Sequence, residues 1–473
     1  MITVTIGRTF LKAYNEKYKK QYTARQFFDE VYFELFFNHP KYMQWITNSP
    51  FVQMKKGQKV DTINESDRKE KLQDLHAKLE NGEIDACTAI GFPASEQKGF
   101  NSTSGMVTDL TMNPNDEDAY YSWIGGGLGL GVAGGLAILI NEPSILLRIF
   151  DGWKVYRSYL NANGLEQLRG NQINSWNGQW VGYAYSRYYT DNHDFQGLLT
   201  ADVFAKSATG YEVNTIKWSK LLFSLSSHYK NLQTIGYIYS LGQTNTTLGF
   251  YPINLQSAHS LIEYYEDLFG ENEALEDTKS YESLFGLHLK RACEYGAIGL
   301  RAFEPEGLRK LFANNKTIKF TTTKVDMIEG EDVFDRQTRI DAAAAKDKQP
   351  IITYRTYKTW LLAMITKNKE ESLDYSVKVA EALQAYRGRA TRTDRINLIK
   401  NDLLGSGSKR KFLDALAIVL GDACKEEASN EEIVLYKELR DRIYLMDNED
   451  FGYFVVLLKF DFTYVEYLQS KNN

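Results

Sequence analysis

Beyond Pro350 the apolar residues return at helical spacing. Leu373, Val377, Ala380 and Leu383 form one set, and Phe412, Leu416, Val419 and Ala423 a second. Leu435, Leu439, Ile443 and Met446 form a third, and Phe454, Leu457, Leu458, Phe462 and Val465 a fourth. Each set keeps one helix face apolar, and the span from 351 holds no further proline and only five glycines. Residues 346–473 are therefore expected to pack as a C-terminal α-helical bundle of four or five amphipathic helices.

The N-terminal side is patterned less regularly. "MITVTIG" alternates like a short strand, whereas "ARQFFDEVYFELFF" has Phe27, Phe28, Val31, Phe33 and Leu35 too closely spaced for a one-faced helix and reads as a helix buried on two sides. "SDRKEKLQDLHAKLENGEID" predicts an exposed helix with Leu72, Leu75 and Leu79 on one face, ending at Asn81-Gly82. Residues 91–120 carry Pro93, Pro114 and many small polar residues and read as a loop. A helix is expected from Pro143, since proline suits a first helical turn. Two β segments around a Gly/Asn turn are expected over 235–253. The fold class that follows is α+β, an irregular mixed region over 1–345 before the bundle.

Composition adds one anomaly. The 473 residues include 31 Tyr, 25 Phe and 7 Trp, broad contact faces of which many keep a polar tip. The net charge of −5 excludes a uniformly basic glove for nucleic acid, though not a local stripe. Cys87, Cys293 and Cys424 stand far apart, which argues against a disulfide framework or a cysteine-rich zinc site and fits a reducing cytoplasm. Residues 123–140, "WIGGGLGLGVAGGLAILI", are uncharged over about a bilayer's length, but seven glycines make a poor isolated helix.

Reactive centres are hard to assemble. Gly129, Gly131 and Gly134 satisfy the literal dinucleotide pattern, yet the preceding "DEDAYYSW" is not a convincing buried strand. The six histidines show no metal-ligand spacing, and His193 in "DNHDF" sits in a polar turn context. No phosphate loop and no nucleophile elbow is present. No enzyme activity, cofactor or metal is expected. Two rival readings stay open: a nucleotide-cofactor enzyme using the Gly129–Gly134 loop, and a membrane-associated structural protein packing through the glycine-rich stretch.

Binding chemistry is better represented. "RGRATRTDRINLIKNDLLGSGSKRK" (387–411) holds eight bases against two acids. Arg387, Arg389, Arg392, Arg395, Lys409, Arg410 and Lys411 are candidates for contact with a phosphate backbone; a solvated helical surface is the alternative. Near the N-terminus Lys17, Lys19, Lys20 and Arg25 lie among Tyr14, Tyr18 and Tyr22, which suit stacking or core packing. In "RGNQINSWNGQW" (169–180), Asn171, Gln172, Asn174, Asn177 and Gln179 offer paired donors and acceptors suited to base edges. A buried amide network is the competing reading.

This layout, an aromatic mixed region, a glycine-rich middle and a proline-free helical bundle bearing an arginine stripe, resembles the large subunit of type I CRISPR Cascade complexes, the Cas-eight family, nearest its type I-B-like branches. The resemblance spans the chain but rests on layout, and the paired CxxC zinc motifs of several relatives are missing. It implies a non-catalytic subunit that reads the protospacer-adjacent motif, holds the guide and stabilises the R-loop. Its partners would be crRNA, target DNA, other Cascade subunits and the nuclease-helicase, in the cytoplasm and with no membrane. On this resemblance the basic residues of 387–411 would face DNA, the amides of 171–179 would read the motif, and Lys17, Lys19, Lys20 and Arg25 would touch RNA or backbone.

Overall fold

The β-branched start "MITVTIG" does not form the expected strand: Ile2–Tyr18 is a helix, α1. The reason is tertiary. A Cβ on Gly7 would lie 2.0 Å from the carbonyl oxygen of Tyr121, and one on Gly125 would lie 1.9 Å from that of Thr3. α1 and the helix Asp116–Gly126 thus touch backbone to backbone, with Thr3 Oγ1 and Ser122 Oγ 2.6 Å apart. Two glycines on facing helices outweigh the weak extended preference of Val and Thr.

The computed structural model describes residues 1–46, 49–81, 85–87, 91–94, 116–186, 189–190, 203–207, 210–242, 247–270, 285–287, 292, 297–312, 316–328, 332–365, 375–389, 393–426 and 428–472. They fall into two units, 1–256 with 292–299, and 257–291 with 300–473. The chain is α+β, with small antiparallel sheets in its N-terminal half and helices at its C-terminus.

In the first unit, α2 (Ala24–Phe27), a π-helical turn (Phe28–Tyr32) and α3 (Phe33–Phe36) are continuous. The wider π turn lets the pairs Phe27/Phe28, Tyr32/Phe33 and Phe36/Phe37 all be buried, as the dense aromatic spacing requires. α4 (Glu65–Glu80) buries Leu72, Leu75 and Leu79 and starts on a reciprocal Asn64/Asp67 cap. A small hairpin, β1 (Asp85–Cys87) and β2 (Gly91–Ala94), precedes α5 (Asp116–Gly126). Most of the expected loop at 91–120 lies outside the described residues.

β3 (Leu130–Val132), β4 (Leu136–Ile140), β7 (Gln233–Ser240) and β8 (Thr247–Asn254) form one antiparallel sheet in that order. Ile138 pairs with both Leu130 and Ile238. β7 and β8 are the two segments expected over 235–253. Between β4 and β7 come α6 (Pro143–Leu160, Pro143 in its first turn), α7 (Ile173–Ala184), the hairpin β5 (Phe204–Ser207) and β6 (Gly210–Val213), and α8 (Trp218–His228). α9 (Leu255–Phe269) follows the sheet.

The second unit holds the strand pair β9 (Phe285–Leu287) and β10 (Phe303–Pro305), the short α10 (Arg309–Phe312) and a 33-residue helix, α11 (Val333–Ile365). After it come α12 (Tyr375–Gly388), α13 (Thr393–Asn397) running into a π turn (Leu398–Leu403), α14 (Lys409–Lys425), α15 (Asn430–Leu445) and α16 (Asn448–Asn472). Leu383, Phe412, Leu416, Val419, Leu439, Ile443, Leu458 and Phe462, all named by spacing, are among its core residues; Val377, Leu435 and Met446 are only partly buried, and Leu373 lies outside the described residues. The boundary expected at 345–346 falls inside α11, and the unit that holds the bundle also takes in 257–291 and 300–345.

Candidate nucleic-acid interface

The arginine stripe folds, but its charges are mostly turned onto carboxylates. Arg389 donates twice to Glu432, at 2.7 and 2.6 Å, which joins the end of α12 to α15. Arg395 is only 8 % exposed; it pairs with Glu426, donates to the Tyr386 carbonyl at 2.7 Å and lies 4.4 Å from the Tyr386 ring centre. Arg387 and Lys400 share Glu466 of α16, and Lys409 donates to the Met446 carbonyl. The Arg389 hydrogen bonds hold the Glu432 carboxyl below its ordinary value. Burial raises Glu466, but the bonds from Arg387 and Lys400 outweigh it and leave that carboxyl lowered too. The expectation of a free cationic face is therefore corrected for Arg387, Arg389, Arg395 and Lys409. Five carboxylate and carbonyl partners from other elements, invisible in the local count, neutralise or anchor them. Arg410 and Lys411 are exposed at the start of α14, and Arg392 lies outside the described residues.

The amide cluster forms α7, packed on the glycine-rich stretch. Asn177 is fully buried and donates to the Gly127 and Gly129 carbonyls at 2.7 and 3.0 Å; Asn174 donates to Gly129 at 3.0 Å. Gln179, also buried, donates to the Asn214 carbonyl at 2.9 Å, and Gln172 Oε1 accepts the Val213 N–H at 2.8 Å. Exposed Asn171 takes a left-handed φ of 51° and donates its backbone N–H to Tyr42. Trp176 and Trp180 donate to the carbonyls of Gly152 and Arg148, both at 2.7 Å. The structure thus favours the buried-network reading over motif reading for Asn174, Asn177, Gln172 and Gln179: the two asparagine NH2 groups serve carbonyls of the glycine-rich stretch, and Gln172 and Gln179 serve the backbone of Val213 and Asn214.

The glycines explain that arrangement. A Cβ on Gly131 would sit 2.8 Å from the Ser175 nitrogen, and one on Gly178 2.3 Å from the Gly131 oxygen. Helix α5 precedes them and a β3–β4 turn follows, with Gly134 and Gly135 at φ 96° and 70°. A pyrophosphate site needs the reverse order, strand then turn then helix, so the geometry does not favour the cofactor reading. The apolar run 123–140 is a helix end plus a hairpin rather than one span. Among the described residues no helix is long and apolar enough to cross a membrane.

Near the N-terminus, Arg25 pairs with Glu80 at 2.9 Å, and Lys17 lies 3.6 Å from Asp151. Lys19 and Lys20 are exposed, Lys20 above the Tyr22 ring. Tyr14 is buried against Phe27 and Phe150, so it serves packing.

A different basic surface appears in the second unit. Lys310 on α10, Lys316 and Lys319 on the extended segment 316–328, and Lys346 on α11 rim a groove of about 960 Å³. Leu311, Ile318, Pro350 and Tyr357 give it apolar walls, and no carboxylate residue lines it among the described residues. All four lysines are exposed. Tyr357 Oη donates to the Glu306 carbonyl at 2.7 Å, and burial pushes its pKa up to about 12, so it stays a neutral wall. Sequence reading passed over this site because 36 residues separate Lys310 from Lys346. A usable signal was there: residues 307–325 hold Arg309, Lys310, Lys316, Lys319 and Lys324 and no acid. His193 lies outside the described residues.

The chain matches no family model, no curated protein and no solved structure.

Proposed function

We propose that this chain is a nucleic-acid-binding subunit without chemistry of its own, and that the lysine-rimmed groove is where a sugar-phosphate strand runs. One observation carries the reading: four exposed lysines from three segments converge on one groove that no carboxylate residue lines among the described residues. On a chain of net charge −5, such a local field attracts phosphates, and each one neutralised releases counterions. The apolar walls suit sugars and base faces, which prefer to leave water.

The setting follows the resemblance in layout to the large subunit of type I Cascade. There the subunit works in the cytoplasm with crRNA, target DNA, the other Cascade subunits and the nuclease-helicase, positioning a duplex and stabilising the R-loop. In this reading the groove positions backbone, and the amides of α7 hold the fold. The test is fluorescence anisotropy of the full chain with labelled single-stranded and duplex oligonucleotides over a salt series. Binding at low salt, with log affinity falling linearly against log salt, is expected. No binding to either form at low salt overturns the proposal.

A further inference from the structure

The segment 316–328 and the first half of α11 run side by side as an arm. Thr323 donates to Asp347 from its backbone N–H at 2.6 Å and its hydroxyl at 2.8 Å, and Arg339 donates to the Asp326 carbonyl at 3.1 Å. At the end of this arm four large apolar side chains stand in solvent: Met327 is 76 % exposed, Ile328 57 %, Val333 83 % and Phe334 76 %. Such a cluster is unfavourable in water and marks a contact surface. Its described charges are acidic, for Asp326, Asp332 and Asp335 flank the cluster. Nucleic acid and anionic lipid would be repelled by it.

What fits is an apolar groove rimmed by cations, and the same chain has one. Lys310, Lys316, Lys319 and Lys346 surround its apolar walls, and no carboxylate residue is among the described residues that line it. The arm cannot reach its own groove, because α11 is continuous from Val333 to Ile365. Twelve residues separate Phe334 from Lys346, which along a helix is about 18 Å.

We propose that the acidic, apolar tip of this arm docks into the lysine-rimmed groove of a second copy of the chain. The contact is head-to-tail, so each copy keeps one free tip and one free groove, and assembly grows with concentration. Its electrostatic part weakens as salt rises. It shares a groove with the proposed function but does not depend on it, and a nucleic acid bound there would compete with the arm.

The test is sedimentation equilibrium of the full chain without nucleic acid. Wild type should show a mean mass that climbs above one chain with concentration. Val333→Ser/Phe334→Ser loses the tip, and Lys316→Glu/Lys319→Glu loses the groove; each alone should run at one chain's mass. All four positions are exposed, so thermal melting should confirm that both variants fold. Mixed together, the two should recover twice that mass, because one still has a groove and the other a tip. Wild type that stays at one chain's mass at its highest soluble concentration overturns the proposal, and so does a mixture that fails to associate when wild type does. Since no oligonucleotide is present, a failure of nucleic-acid binding leaves this result separate.

Discussion

Lys358 Nζ lies 3.0 Å from Asp461 Oδ1, and both side chains are buried. The carboxylate also accepts from Tyr354 at 2.6 Å and from the Ser376 hydroxyl, so α11, α12 and α16 meet at one charge. Its partners saturate it, which makes it a joint of the bundle. Lys358→Met should leave Asp461 buried without its cation and cost about 3–5 kcal/mol in urea denaturation. A loss below about 1 kcal/mol would mean that water reaches the site.

Arg389 and Arg395 should behave as bundle residues. Arg389→Ala leaves Glu432 without its cation, Arg395→Ala leaves Glu426 only its longer contact to Arg389, and each should lower stability by about 2 kcal/mol. The salt dependence of nucleic-acid binding should not change. A flatter dependence with intact stability would return the stripe to the phosphate path.

Asn177→Ala should cost about 1–3 kcal/mol, because the Gly127 carbonyl loses its buried donor and that of Gly129 loses one of two. Thermal melting reads this directly. Base preference, measured with oligonucleotides of different sequence, should match wild type.

Acid should loosen the bundle through Glu432. Its carboxyl is lowered from 4.5, chiefly by the Arg389 hydrogen bond. A depressed folded value means that this stabilisation is complete above pH 4.5 and is lost as pH falls through the folded value. Glu432→Gln should therefore be less stable than wild type near neutrality, and the gap should close in acid. A gap that is constant with pH contradicts the ion pair.

Much of this was legible from spacing. The helical sets beyond Pro350 gave the bundle core, and the crowded Phe27–Phe37 run gave an element buried on two sides. The start of α1 was not legible, because the helix depends on Gly7 meeting the Tyr121 backbone and Gly125 that of Thr3, more than 100 residues away in sequence. The arginine stripe misled for a related reason. Counting charges from 387 to 411 sees Asp394 and Asp402, whereas the acids that matter are Glu426, Glu432 and Glu466 on later helices. The amides at 171–179 carried two readings in sequence, and the close approach of α7 to Gly127, Gly129 and Gly131, which brings carbonyls within reach, favours the buried network. The lysine groove was hidden because Lys346 stands 36 positions along the chain from Lys310 and outside the basic run of 307–325.

In the proposed function, cationic contact with nucleic acid comes from Lys310, Lys316, Lys319 and Lys346. The most direct measurement is the slope of log affinity against log salt for duplex DNA, compared between wild type and the chain with all four changed to Gln. Each lysine removed should lower that slope by roughly one. An unchanged slope in the four-lysine variant, with a reduced slope when Arg410 and Lys411 are changed instead, would contradict the account.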